Sequence, residues 1–140
     1  MTAKEYLNRA FLLNNRINDK LIKLDCLKEM SESISSPSFE EKFSGTKNTA
    51  APFSRYIEKI NSLENEIAAD MKMLDEVKAE IDIQIDKLED PYEQLILRYR
   101  YLLFMPMGQI AKKAHYTLRW TQRIHNRALE NFERVHSSSL

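Results

Sequence analysis

Seven cationic side chains concentrate between Arg98 and Arg127: Arg98, Arg100, Lys112, Lys113, Arg119, Arg123 and Arg127, with no Asp or Glu among them. Guanidinium forks and ammonium groups free of neighbouring carboxylates are suited to binding polyanions. The whole chain is neutral, with 21 Lys+Arg and 21 Asp+Glu. Its two halves are not. Residues 1–90 hold 13 basic and 18 acidic side chains, a net of −5, and residues 91–140 hold 8 and 3, a net of +5. Such asymmetry implies a division of labour in which the basic half faces a polyanion.

Other chemistries find little support. Cys26 is the single cysteine, which rules out a disulfide framework and a thiolate zinc site; it reads as a small apolar filler on the first helix. His115 and His125 lack companion ligands at metal spacing and read as a turn and a surface residue. The run Asp82, Asp86, Glu89, Asp90 reads as a solvated helix face without the spacing of a calcium loop. Met105 and Met107, on either side of Pro106, read as core plugs. There is no Gly-rich phosphate loop, no nucleophile elbow and no evident carboxylate–histidine pairing, so neither an enzyme nor a cofactor or metal site is expected. No apolar run approaches the roughly 18 residues of a membrane span, and Asn8 and Arg9 interrupt the N-terminal apolar residues. A cytoplasmic protein without a membrane partner is expected.

The elements that must position the basic stretch are helical. Two Gly and four Pro in 140 residues, with abundant Leu, Ile, Glu and Lys, predict an all-α chain. From about Ala3 to Ser33, Leu7, Ala10, Ile17, Leu21 and Leu24 follow heptad-like spacings, with Leu13 and Leu27 widening the stripe. Residues 31–54 lose that period to Ser, Thr, Asn, Gly and Pro and predict a long mobile connector, with Phe39 and Phe43 as local anchors. From about Phe53 to Glu89, Ile60, Ile67, Leu74, Ile81 and Leu88 recur every seven residues, interrupted by Asp70 and Gln84 at partner positions. The two stripes predict a long antiparallel, coiled-coil-like hairpin over residues 1–90 that pairs with a second copy through Leu21, Leu24, Ile60, Ile67, Leu74 and Ile81. Asp90-Pro91 marks a domain boundary. A three-helix domain over 91–136 follows, with helices at about 91–103, 106–114 and 117–135, and a frayed tail from His136.

The stretch Pro106–Leu129, PMGQIAKKAHYTLRWTQRIHNRAL, fits a helix-turn-helix. Ile110, Ala111 and Ala114 make the inner face of its first helix. His115-Tyr116 form the turn, with Tyr116 aimed back at the core, and Thr117 caps the second helix. Leu118, Thr121, Ile124, Ala128 and Phe132 are the expected buried stripe. The opposite face carries Arg119, Arg123 and Arg127 at four-residue spacing, flanked by Trp120, Gln122 and Asn126. Arginine forks match guanine edges or phosphates, and the amides match adenine. Arg119, Gln122 and Arg123 are the expected base readers, Lys112, Lys113 and Arg127 the expected phosphate contacts, and Thr117 marks the helix end that enters the groove. Trp120 either stacks on nucleic acid or packs against the hairpin.

The segment LRYRYLLFMPMGQIAKKAHYTLRWTQRIHNRALENF resembles the C-terminal helix-turn-helix of sigma-70-type factors, in which a helix reads the promoter −35 element. With MTAKEYLNRAFLLNNRINDKL and SLENEIAADMKMLDEVKAEID, the chain resembles small prophage-encoded proteins of Gram-positive bacteria, related in layout to late transcription activators. The pattern departs where His115 replaces a usual turn glycine, Thr121 a branched apolar residue and Pro106 a capping Ser or Thr. The resemblance implies a regulator of transcription that binds double-stranded DNA, with contact to RNA polymerase as a further expectation. Two other readings stand beside it: an interaction module that docks on polymerase without reading DNA, and a packaging protein resembling a small terminase subunit.

Overall fold

The computed structural model describes residues 1–34 and 50–137. Among them all regular structure is helical, as composition predicts. Helix α1 (Ala3–Leu7) opens with a capping box, in which Thr2 Oγ1 accepts the Glu5 N–H at 3.2 Å and Glu5 Oε2 accepts the Thr2 N–H at 3.4 Å. Asn8 separates it from α2 (Arg9–Ile34), so the single helix expected from Ala3 has two segments. Helix α3 (Ala50–Ile85) follows. The two long helices thus take in residues 31–34 and 50–54, which the sequence assigned to the connector. The rest of the connector, with Phe39 and Phe43, lies outside the described residues. Helix α3 ends four residues earlier than expected, where the N–H groups of Lys87 and Leu88 turn to the carbonyls of Gln84 and Ile85.

The chain divides into two compact units, Met1–Asn14 with Met73–Leu140, and Asn15–Lys72. The boundary expected at Asp90–Pro91 is not where it divides, because the end of α3 belongs to the C-terminal core. Ile81, Ile85 and Leu88 are buried, and Arg98 of α4 (Pro91–Tyr101) holds both Asp82, at 2.7 Å, and Asp86.

In the unit of residues 15–72, Ile17, Leu27, Ile60, Leu63 and Ile67 are buried. Arg16 and Lys20 of α2 reach Asp70 of α3 at 3.2 and 2.7 Å, and Met30 Sδ faces Tyr56 Oη at 4.0 Å. Partner numbers fall as α2 numbers rise, the order given by antiparallel helices. Asp70, which breaks the apolar period, is therefore a buried carboxylate with two cations. The Lys20 hydrogen bond, with help from Arg16, holds its carboxyl below the usual carboxylate range. Cys26 is exposed rather than a core filler.

The side chains assigned to a subunit seam need correction. Ile60, Ile67, Leu74 and Ile81 are already buried within the single chain, because each unit covers its own stripe. Leu21 is exposed and Leu24 half-buried.

In the other unit, α6 (Leu118–His136) is the hub on which α1, α4 and α5 (Met107–Ala114) pack. Ile96, Met105, Ile110 and Ile124 form a central apolar cluster, with Tyr99, Met107 and Tyr116 packed at its rim. Met105 plugs the core as expected, whereas Met107 is half-buried at its rim, and Tyr116 turns inward. The Tyr6 and Phe132 rings lie 5.8 Å apart, which ties α1 to α6. Fraying does not begin at His136. That ring is buried against Phe132 at 4.2 Å, and its Nδ1 lies 2.8 Å from the Phe132 carbonyl oxygen. Phe104, in the turn after α4, adopts a left-handed φ of 58°, which costs a bulky residue steric energy. Its ring is held by Phe11 at 5.8 Å and by the Lys78 ammonium at 4.8 Å.

Candidate nucleic-acid interface

The candidate interface comprises α5, the turn after it and the first half of α6. Helix α5 starts at Met107, with Pro106 as its cap residue offering no side-chain bond, and ends at His115 with φ 60° and ψ 39°. His115 thus takes a left-handed backbone, the conformation that a glycine in this turn would adopt without steric cost. The His115 N–H reaches the Lys112 carbonyl at 3.3 Å and the Tyr116 N–H reaches the Ala111 carbonyl at 2.9 Å, the paired bonds of a Schellman stop. Thr117 then starts α6 from an extended backbone, its hydroxyl accepting the Trp120 N–H at 3.1 Å. Buried Thr121, the polar departure in the stripe, donates its hydroxyl to the Thr117 carbonyl at 2.9 Å, while its own N–H meets the same carbonyl at 3.0 Å. The hydroxyl is satisfied inside the helix, so a polar residue is tolerated at an apolar position.

Thr121, Ile124, Ala128 and Phe132 form the buried stripe of α6. Leu118 does not. It is 48% exposed, at the edge of the stripe rather than within it, and only its i+3 spacing to Thr121 suggested otherwise. At about 100° per residue, the side chains opposite the stripe follow one another around the helix as Leu118, Gln122, Asn126, Arg119, Arg123, Arg127 and Trp120. All are exposed. Trp120, at 45% exposure, presents its indole outward rather than being enclosed by packing.

The seven cations of the acid-free stretch do not share one environment. Among the described residues, Arg119, Arg123 and Lys112 make no ion pair, and Lys113 lies over the Tyr99 ring at 5.4 Å. Arg100 donates to the Met105 carbonyl at 3.1 Å. Arg98 is committed to Asp82 and Asp86, and desolvation does not outweigh these partners: its pKa is raised. Arg127, expected at a phosphate, instead bonds Asp90 at 2.9 Å and Glu93 at 3.2 Å. Glu93 is only 2% exposed and also accepts from the Asn131 amide. Asp82, Asp86 and Asp90 of the acidic run expected as a solvated face are thus counter-charges to Arg98 and Arg127, while Glu89 is exposed as expected. Asp90 in addition caps α4 by accepting the Tyr92 N–H at 2.8 Å.

His125 also differs from expectation. It is half-buried, its Nε2 lies 2.8 Å from Tyr101 Oη, and the two rings stack at 5.7 Å. Burial, with Arg100 and Lys4 nearby, holds the imidazole below its usual range, and burial pushes the Tyr101 hydroxyl up to about 12. His125 is therefore neutral at pH 7 and adds no charge to the face. Among the described residues no cluster of His, Cys, Asp and Glu could hold a metal, and no helix is long and apolar enough to cross a membrane.

The geometry provides an exposed row of arginine forks and amides at the start of a helix, with two lysines on the preceding helix. Sequence reasoning placed Arg119, Trp120, Gln122, Arg123, Asn126 and Arg127 on this exposed face, put Leu118 in the buried stripe instead, and missed the clamp from Glu93 to Arg127 and Asn131. The signal for Leu118 was Thr117 itself, since a cap at 117 places residue 118 in the first turn. The clamp had no local signal, because 34 and 38 positions separate its members. No protein-family model, no curated protein and no solved structure matches this chain.

Proposed function

We propose that this chain is a DNA-binding regulator of transcription, similar to sigma region 4 and of prophage type, which reads duplex DNA with α6. The observation that supports this most is the contrast among its arginines. Among the described residues, Arg119 and Arg123 stand exposed without acidic partners beside Gln122 and Asn126, while Arg98 and Arg127 are held by carboxylates. Exposed arginines and amides in the first turns of a helix suit major-groove edges. Lys112 and Lys113, exposed on α5, suit flanking phosphates. Contact with RNA polymerase, action in the cytoplasm and a homodimer belong to the same proposal. The second copy would have to use apolar side chains the single chain leaves exposed, such as Leu21, rather than the seam first expected.

Fluorescence anisotropy with a random-sequence duplex at two salt concentrations tests the reading. Affinity should fall steeply as salt rises, since neutralised phosphates release counterions. The exposed Trp120 and Leu118 favour a second reading, in which the same face docks on a protein, because aromatic side chains are common anchors at protein interfaces. Salt-insensitive or absent duplex binding would select that alternative.

A further inference from the structure

We infer that the cavity between the turn after α3, the start of α4 and the second half of α6 binds a small zwitterion, of the class of a free α-amino acid. This goes beyond the DNA-binding reading and does not depend on it.

The cavity measures about 580 Å³, and small-molecule sites run from about 300 to 1,000 Å³. Its lining residues all belong to one compact unit of the chain. Three observations give its ligand a chemistry. First, its wall includes a buried carboxylate with one oxygen uncommitted. Glu93 is 2% exposed, and Arg127 Nε and the Asn131 amide both donate to its Oε1. Among the described residues Oε2 accepts no hydrogen bond, yet it is not among the atoms sealed away without a partner, so it opens on the cavity. A carboxylate oxygen removed from bulk water is stabilised by a donor that meets it. Second, two cations line the same cavity without a carboxylate. Among the described residues Lys87 makes no ion pair, and the Arg134 guanidinium donates only to Asn131 Oδ1. Third, Asn131 sets these groups in order, with its amide N–H toward Glu93 and its amide oxygen toward Arg134.

An ammonium and a carboxylate on one short stem repeat that order of donor and acceptor. The ammonium meets Glu93 Oε2, and the carboxylate meets Arg134 and Lys87. Leu88 and half-exposed Val135 line the rest of the cavity and suit an aliphatic side chain. A simple anion would leave Glu93 Oε2 unmet and add a like charge beside it. A simple cation would be repelled by Lys87 and Arg134.

Thermal melting and titration calorimetry of the full chain with each of the common free α-amino acids, at millimolar concentration, test the inference. At least one with an aliphatic side chain should raise the melting temperature by an amount that grows with its concentration, because it binds the folded state. Its N-acetyl derivative, which has no ammonium, and its amide, which has no carboxylate, should each bind about tenfold more weakly, the loss of one charge-assisted hydrogen bond. Arg134→Ala, at an exposed position, should weaken the free amino acid about tenfold and leave the amide unchanged. Glu93→Gln presents an N–H donor where Oε2 stood and should abolish the preference for the free amino acid over its N-acetyl derivative. A melting temperature unmoved by every amino acid would overturn the inference. So would equal binding of the free, N-acetyl and amide forms, or full affinity in folded Arg134→Ala. None of these measurements contains DNA, so the DNA-binding reading stands or falls separately, on the anisotropy titration.

Discussion

Arg119 and Arg127 are two turns apart on one helix, and both were expected to meet DNA. Among the described residues, the first turns of α6 leave Arg119 and Arg123 without a carboxylate, whereas the middle of the helix gives Arg127 both Asp90 and buried Glu93. The same division separates Arg98, held by Asp82 and Asp86, from Lys112 on α5. An acid-free stretch of sequence is thus no guide to free charge. Folding returns acids from the preceding segment to part of the stretch, and what is left uncompensated is a patch at the start of α6. The internally spent arginines fix the helix, and the unspent ones are available to a ligand.

The largest expected effect separates these two groups directly. Arg119→Ala together with Arg123→Ala should remove DNA selectivity and cost about 1–3 kcal/mol of binding for each base contact, with thermal stability nearly unchanged. Binding to selected and random duplexes, alongside a melting curve, checks both halves. If affinity and selectivity survive in the folded double variant, α6 is not the reading helix.

Arg127→Ala should behave in the opposite way. Removing the guanidinium leaves buried Glu93 with the Asn131 amide as its remaining partner, and should cost about 1–3 kcal/mol of folding stability. Urea unfolding measures it. A variant as stable as the wild type but defective in salt-dependent DNA binding would return Arg127 to the phosphate-contacting group.

A smaller effect is expected at Lys112. Lys112→Ala should weaken all duplexes alike and reduce the slope of log affinity against log salt by about one. A change confined to one base pair would mark Lys112 as a reader instead.

The smallest effect lies in acid. Asp70 has its carboxyl pKa lowered by Lys20 and Arg16, so its folded value lies below its unfolded one. Its contribution is therefore present above the unfolded pKa, near 3.9, and is lost as pH falls through the folded value. Asp70→Asn should flatten the acid side of the stability curve below about pH 4 and leave the neutral side without that pH dependence. Equal slopes in both proteins would show that the two cations do not stabilise the ionised form.

How much of this was legible in the sequence follows the range of the interactions. Thr117 as a cap, the turn at His115-Tyr116 and the inward Tyr116 were readable because each depends on neighbours within a few residues. The buried positions of α3 were readable from their period, but not what covers them, since a stripe is the same whether its partner is in the chain or in another copy. Leu118 was misplaced because helical spacing reports a face and not where its buried edge falls. The partners of Arg98, Arg127 and His125 come from other helices and left no local trace.

The contact between Glu93, Arg127 and Asn131 has one more consequence. It fixes the rotation of α6 about its own axis from a point lying C-terminal to the exposed arginines Arg119 and Arg123. Positions 118, 119, 122 and 123 can therefore be exchanged without disturbing the device that aims them. Under the proposed function, a scaffold of this kind would let the DNA preference change by substitution at a few exposed sites while the architecture stays the same.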